Sequence, residues 1–168
     1  MADINIHDIT IGIYTKGLTV LLHILQKSAA HPDASTFPAA RLIDDMLPLS
    51  FHVQSVSHTV CKSLRKLGLD NIPDMQDSEC TMEEVIARVE RTLELVRGVG
   101  AETMDGREGV RVRMPGGDVS GKQFVLGFAV PNFFFHLQTV YAILRMRGVG
   151  LGKEDYLTGW AGEWDREV

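Results

Sequence analysis

The chain has 168 residues, of which 45% are apolar and 23% are charged, and its formal net charge is −5. These values are typical of one soluble globular domain and exclude a disordered chain, a collagen-like rod or a coiled-coil rod. The acidic balance provides no basic field for nucleic acid or for an anionic membrane, and two cysteines are too few for a disulfide framework or a structural zinc cluster.

The first part of the chain predicts two long helices. Apolar residues recur at helical spacing over residues 9–28, a loop follows at 31–36, and a second apolar stripe runs over about 38–68. Pro48 interrupts the second stripe, which predicts a short helix at 39–46 and then a longer one with Pro48 in its first turn. Gly68 is suited to end the longer helix.

The second part predicts two more helices, separated by a hairpin. After a polar connection at 70–80, the run Thr81-Met82-Glu83-Glu84 fits a capping box that opens a helix reaching about Arg97. Alternating residues at 108–114 and a turn at 115–117 predict a hairpin whose second strand is about 122–127. The last long helix is expected from near Pro131 to just before Gly148. Residues 149–168 are expected to pack onto the helices through their aromatic side chains.

Four long helices and one small hairpin predict an all-α fold, a helical bundle with the β-hairpin between helices 3 and 4. We expect residues 1–168 to form a single domain. The acidic N-terminus lacks the layout of a signal peptide. Residues 124–144 carry no charge, but the polar residues among them favour a buried bundle helix over a membrane span. The expected location is therefore the cytoplasm, with no membrane or nucleic-acid partner.

One polar stripe interrupts the otherwise apolar last helix. Asn132, His136 and Thr139 fall within about 60° of one another on a helix. Because an unpaired buried polar group costs about 1–3 kcal/mol, the stripe must either hydrogen-bond to a neighbouring helix or line a cavity. The second helix offers partners: His52 lies beside its apolar stripe, and Asp45 lies two turns earlier on the same line if Pro48 does not break the helix.

Two glycine-rich segments match nucleotide-binding motifs only in part. GGDVSGKQ, residues 116–123, lacks the Ser or Thr after Lys122 that would hold magnesium. GVGLGK, residues 148–153, follows a helix instead of a strand. We expect no cofactor.

Three segments carry a resemblance to a known family: ARLIDDMLPLSFHVQSVSHTV (40–60), Glu79-Cys80-Thr81, and PNFFFHLQTVYAILRMRGVGLGKEDYL (131–157). Over about residues 10–157 the chain resembles a bacterial and fungal domain-of-unknown-function family that is related to the DinB/YfiT-like helical bundles. The resemblance implies a four-helix up-down-down-up bundle, often dimeric.

The resemblance also bears on metal binding. In metal-binding DinB-like proteins, one histidine comes from the second helix and two come from a His-x3-His on a later helix. His52 and His136 match two of these ligands, but Val140 stands where the third would be. We therefore expect no bound metal.

Three functions compete at this point. The first is an enzyme that acts on a small apolar or aromatic molecule in a pocket between helices. It would use cofactor-independent acid–base chemistry of the isomerase, cyclase or dehydratase type, in bacterial or fungal secondary metabolism. The catalytic candidates are His136, His52 and Asp45, and the substrate-binding candidates are Asn132, Thr139, Phe133, Phe135, Tyr14 and Met46.

The second function is a DinB-like metal-dependent transferase, whose third ligand would have to come from His23, Asp45 or Glu83. The third is a non-catalytic ligand-binding or dimerisation module in which the polar stripe is purely structural. A homodimer is compatible with each of them.

Overall fold

The computed structural model describes residues 4–161, which form a mostly helical fold with one two-stranded antiparallel sheet. This confirms the predicted helical class and the presence of a small hairpin. The long helices are α1 (Ile13–Ala29), α2 (Leu49–Lys66), α3 (Met82–Arg97) and α6 (Val130–Met146). The short elements are α4 (Ala101–Met104), β1 (Arg111–Met114), β2 (Gly117–Ser120), α5 (Gly121–Phe124) and α7 (Lys153–Ala161).

The four long helices pack in two main pairs, α1 with α3 and α2 with α6. Their apolar stripes supply most of the core, since burying apolar surface is the dominant favourable term in folding. Thr59 contacts Asn132, and His52, earlier in α2, contacts His136, later in α6, so these two helices run antiparallel. The core side chains from the long helices include Leu18, Leu21, Leu25, Val53, Val56, Val60, Val85, Val89, Val96, Phe133, Leu137 and Val140.

Residues 39–46 form turns, so the predicted short helix there is wrong. Pro48 is the N-cap of α2, with an extended backbone, and lies just before the first helical residue. A residue that precedes proline is pushed towards extended conformations, so Leu47 cannot continue a helix into Pro48. At the other end, Gly68 adopts φ +83°. There the N–H of Leu69 donates to the carbonyl of Leu64 at 3.0 Å, which closes α2 with a Schellman motif.

The last long helix begins at Gly121 instead of near Pro131, and the second strand is 117–120 instead of 122–127. Ser120 and Gln123 form a capping box: Ser120 Oγ accepts from the Gln123 N–H at 3.2 Å, and Gln123 Oε1 accepts from the Ser120 N–H at 2.9 Å. Helix α5, a π-turn (Val125–Ala129) and α6 then follow without a break. The wider π-turn accommodates Pro131, which lacks an N–H and would clash within a regular α-turn.

A second π-turn, Asp8–Gly12, opens the helix that continues as α1. The continuous helices Asp8–Ala29 and Gly121–Met146 are both long and apolar enough to cross a membrane by length and composition. The sequence prediction addressed only the second of them. Both also contribute side chains to the shared core, as the central helices of a soluble protein do.

Helix α7 packs antiparallel on α1. The Lys16 ammonium lies 3.5 Å from the Trp160 carbonyl, and the Lys27 ammonium lies 2.8 Å from Asp155 Oδ1. The Trp160 ring packs on Phe134 with the ring centroids 5.2 Å apart. Trp160 therefore packs onto the helices, as expected for the aromatic side chains of residues 149–168. Trp164 lies outside the described residues.

Candidate functional site

Two imidazole rings face each other between α2 and α6. The Nδ1 atoms of His52 and His136 lie 2.9 Å apart, and the ring centroids lie 5.2 Å apart. One of these nitrogens must donate the proton and the other must accept it, because two N–H groups or two lone pairs would repel each other. Helical spacing placed these two histidines towards each other, and the structure brings them into hydrogen-bond contact.

The two rings differ in exposure. His52 is 3% exposed, and its Nε2 atom is buried without a hydrogen-bond partner among residues 4–161. His136 is only partly buried, so part of this residue reaches the surface. A single hydrogen bond therefore links the buried His52 to the partly exposed His136.

Burial keeps both rings neutral at pH 7. It lowers the pKa of His136 to about 4, and the nearby His52 contributes to that lowering because a second positive charge would repel the first. Burial also lowers the pKa of His52, although the backbone carbonyl of Leu47 beside the ring partly opposes this. Neutral imidazoles keep a lone pair available for a proton or a ligand.

Aromatic side chains surround the pair. Phe51 lies 5.7 Å from the His52 ring and 6.1 Å from the His136 ring, measured between centroids. Phe135 lies 5.2 Å from His136, and 58% of its side chain is exposed. Phe51 is also partly exposed, and sequence analysis missed it, although its position next to His52 was a usable signal. The histidines therefore lie at an apolar, accessible edge of the α2–α6 interface.

The other members of the polar stripe are engaged elsewhere. Asn132 Nδ2 donates to Thr59 Oγ1 on α2 at 2.7 Å, and Thr139 Oγ1 donates to the backbone carbonyl of Phe135 at 2.7 Å. These bonds satisfy side chains at the helix interface. Neither residue contacts the imidazoles through a hydrogen bond within the described part of the chain.

Tyr14 and Phe133 belong to the core instead of a pocket. Both are fully buried, with ring centroids 5.1 Å apart, and the Tyr14 hydroxyl donates to Ser63 Oγ at 3.0 Å. Burial raises the pKa of Tyr14 to about 12, which the bond to Ser63 only partly offsets. Ser63 is three helical turns beyond His52, about 16 Å along α2, so the Tyr14 hydroxyl lies far from the histidines. Phe133 lies less than one turn before His136 on α6, but its ring packs on Tyr14 in the core.

Asp45 and Met46 lie in the turns before α2. Asp45 is exposed and makes no side-chain hydrogen bond among the described residues, so the alignment with His52 that a continuous helix would have provided is lost. The Met46 carbonyl accepts a hydrogen bond from Arg41 Nη1 at 2.6 Å. The break at Pro48 thus takes Asp45 off the line of His52, and Met46, which was expected to line a pocket between helices, lies in a turn before α2.

The donor set does not fit the metal centre that the DinB-like resemblance implies. Residues 4–161 contain no group of three or more His, Cys, Asp or Glu side chains placed to hold a metal ion. Val140, in the position of the third histidine, is fully buried and aliphatic. Two imidazole nitrogens fall short of the three protein ligands that catalytic zinc sites use.

A second polar cluster, which sequence analysis missed, lies between α2, α3 and the segment 70–80. Arg88 is fully buried, and its Nη1 donates to both carboxylate oxygens of Glu79 at 2.9 and 3.0 Å. Its Nη2 lies 3.0 Å from Asp77 Oδ1. Burial alone would raise the pKa of Glu79, but hydrogen bonds from Arg88 and Gln54 outweigh it and hold that pKa below its usual value. We call this group the Arg88 cluster.

Comparison with known proteins confirms the resemblance. The family model of a domain of unknown function, DUF1993, matches residues 6–157. The crystal structure of a DinB family member from Shewanella denitrificans is similar over 90% of this chain and 90% of that one, with 30% identity and a TM-score of 0.83. A search of curated proteins found no match. The likeness supports a soluble protein with a DinB-like helical fold.

Proposed function

This chain belongs to the DUF1993 family of DinB-like helical proteins, and from that premise we propose that it is a small-molecule enzyme whose His52–His136 pair performs acid–base chemistry. The observation that carries the proposal is the 2.9 Å contact between two neutral imidazoles, one buried and one reaching the surface. The pair needs no cofactor for proton transfer. We also propose a cytoplasmic location, which the acidic composition supports.

The topology of the family supports the same assignment. We infer an up-down-down-up path for the four long helices, and the antiparallel packing of α2 on α6 is consistent with it. In that arrangement the second and fourth long helices form a direct interface. The two histidines then project from rigid helical elements, which favours accurate placement of reacting groups.

The pair supplies a base and then an acid at one atom, Nε2 of His136. When His136 Nδ1 donates to His52, His136 Nε2 holds a free lone pair and accepts a proton from the substrate. The pair then carries one positive charge, and the 2.9 Å contact lets His52 Nδ1 share it by accepting from His136 Nδ1. His136 Nε2 returns the proton to another atom of the substrate, which restores the neutral pair. Isomerisation and dehydration both need such a base followed by an acid.

The surroundings favour an apolar or aromatic substrate. Phe51 and Phe135 flank the rings, and an aromatic ligand gains from edge-to-face contact with them. Asn132 and Thr139 are committed to other hydrogen bonds, so we assign substrate contact to Phe51 and Phe135 and acid–base catalysis to His136. His52, which acts through His136, is a positioning residue.

Hydrolysis of 4-nitrophenyl acetate tests whether His136 is a reactive base. At pH 5.5 an ordinary imidazole is about 90% protonated, whereas a ring with a pKa of about 4 is neutral and reactive. We expect His136→Gln to release nitrophenol at least about tenfold more slowly than the wild type at this pH. His52→Gln should shift the pH profile, because it removes the proton partner of His136.

His23→Gln is the matched control, since His23 is a surface histidine on α1 that is hydrogen-bonded to Asp155. Circular dichroism should show that all three variants fold. Equal rates for wild type and folded His136→Gln at pH 5.5 would refute the acid–base proposal and leave the pair as a structural contact.

The second candidate, a DinB-like metal-dependent transferase, is favoured by the facing imidazoles and by the DinB family neighbour. The two-nitrogen donor set argues against it. Elemental analysis of untagged protein separates the two functions: stoichiometric zinc or nickel that is lost in both His52→Gln and His136→Gln would favour the transferase.

A further inference from the structure

The two π-turns of the described chain lie side by side. Asp8–Gly12 precedes α1 and Val125–Ala129 precedes α6, and the two turns pack against each other. A π-turn is rare, and where it occurs inside an α-helix it is frequently at a functional site. Two π-turns in contact with each other therefore indicate a functional site at this place.

Both turns line the same cavity. It has a volume of about 550 Å³, and each π-turn contributes an apolar side chain to it, Ile9 from the first and Leu126 from the second. The remaining apolar lining comes from the N-terminal residues Ile4 and Ile6. A volume of this size falls in the range of sites for small organic ligands.

The second π-turn also changes which side chains face outward. Leu126, Gly127 and Phe128 are three consecutive exposed residues, and 48% of Leu126 and 49% of Phe128 are exposed. In a regular α-helix, residues two apart point about 160° away from each other around the axis. One of them therefore usually faces the core, and both are rarely exposed. The π-turn presents apolar surface to this end of the molecule.

Charged groups surround the apolar lining. Asp105, Glu108 and Lys122 all border the cavity, and none of them has an ion-pair partner within the described range 4–161. Two carboxylates outnumber one ammonium, so the rim carries an excess negative charge. A bound molecule with a positive head group would be attracted to that rim.

We propose that this cavity binds a small amphipathic molecule with an apolar body and a cationic head, of the alkylammonium class. The apolar body contacts Ile9 and Leu126, and the head lies near Asp105 and Glu108. The site is separate from the histidine pair, because Leu126 precedes His136 by ten residues, about 15 Å along the helix. It is therefore independent of the proposed enzymatic activity.

Titration of the protein with decyltrimethylammonium below its micelle concentration, followed by amide chemical shifts, tests the proposal. We expect shifts to concentrate at residues 8–12 and 125–129. Leu126→Ala should weaken binding by about threefold to tenfold, as expected for the loss of apolar contact. The double variant Asp105→Asn/Glu108→Gln should weaken it by a similar factor, and more at low salt than at high salt.

Leu157→Ala is the matched apolar control, since Leu157 on α7 is 45% exposed and lies away from this cavity. Glu90→Gln on α3 is the matched charge control. Decanoate has the same tail with an anionic head and should bind at least about threefold more weakly than the cation. Absence of saturable binding, equal affinity for decanoate, or equal losses in Leu126→Ala and Leu157→Ala would each overturn the proposal.

Discussion

Helix α2 contributes to two polar clusters, and they differ in charge. Towards α6, His52 and His136 form one hydrogen bond, and burial lowers the pKa of both rings so that they are neutral at pH 7. Towards α3 and the segment 70–80, the fully buried Arg88 holds a permanent charge that Glu79 and Asp77 balance.

The comparison separates stability from reactivity. In the Arg88 cluster each charge needs its partner, because an uncompensated buried charge is strongly unfavourable. In the histidine pair no ion exists at pH 7, and the free ring nitrogen of His136 can take up a proton and return it. We therefore expect the Arg88 cluster to dominate stability and the histidine pair to dominate chemistry.

Removal of Arg88 should have the largest effect. Arg88→Met leaves the carboxylate of Glu79 buried without its main partner, and we expect the free energy of unfolding to fall by about 3–5 kcal/mol. Urea denaturation measures this loss. The double variant Arg88→Met/Glu79→Gln should recover part of it, since it removes the stranded charge. A loss below about 1 kcal/mol in Arg88→Met would show that the cluster is not the stabilising one.

The pH dependence of stability should report on the histidine pair. Because the pKa of His136 is about 4 in the folded protein and near 6.5 when unfolded, the unfolded state binds more protons between these values. The free energy of unfolding should therefore keep the whole contribution of this histidine above about pH 6.5 and decrease by about 1–3 kcal/mol as the pH falls to 4.

The variant His52→Leu/His136→Leu provides the control for this pH dependence. Removing both rings removes their contribution, so its stability should decrease less over the same pH interval. Glu79, whose pKa is lowered, begins to lose its stabilising contribution only as the pH falls to the ordinary range of a glutamate carboxyl, near the lower end of the interval, and the double variant shares this loss. Parallel curves for the wild type and the double variant would contradict the depressed pKa values.

Replacement of one or both histidines tests further how the stability of the histidine pair differs from that of the Arg88 cluster. His136→Leu removes the hydrogen bond between the rings from the buried His52, and we expect a loss of about 1–2 kcal/mol at pH 7. The double variant leaves no stranded polar group and should be close to wild type. A double-mutant cycle in thermal or urea unfolding measures this coupling, and strictly additive losses would argue against it.

The smallest effect is expected at the neighbouring contact between Asn132 and Thr59. Asn132→Ala removes one hydrogen bond at a partly buried position and should cost about 1 kcal/mol. Urea unfolding detects a change of this size. A loss as large as that of Arg88→Met would mean that the α2–α6 interface, too, depends on its polar contacts.

Much of the helical framework could be predicted from local signals. The capping box at Thr81 opens α3 as expected, and the apolar stripes of α1 and α3 are buried. The start of the last helix was predicted wrongly because Pro131 was interpreted as a helix start. The capping box of Ser120 and Gln123 was the available signal, and a π-turn that accommodates the proline cannot be derived from residue spacing.

The candidate site was predictable where it depends on regular helix geometry. His52 and His136 lie on regular parts of α2 and α6, and the structure places them in contact. Asp45 was not predictable in the same way, because its position depends on whether the chain stays helical across Pro48. Arg88 lies three residues after Val85 and one before Val89, within the buried face of α3, but the apolar periodicity of a helix does not show that a charged residue on it is buried.

The packing of α7 on α1 has a consequence for the order of folding. The ion pair between Lys27 and Asp155 joins residues separated by 128 positions, so its formation carries the entropic cost of closing a long loop unless the intervening chain has already folded. We expect α7 to dock after the transition state, with φ-values near zero for Asp155 and Trp160. Substitutions there should speed unfolding and leave the folding rate unchanged, so the C-terminal helix sets the lifetime of the native state without setting the speed at which it is reached.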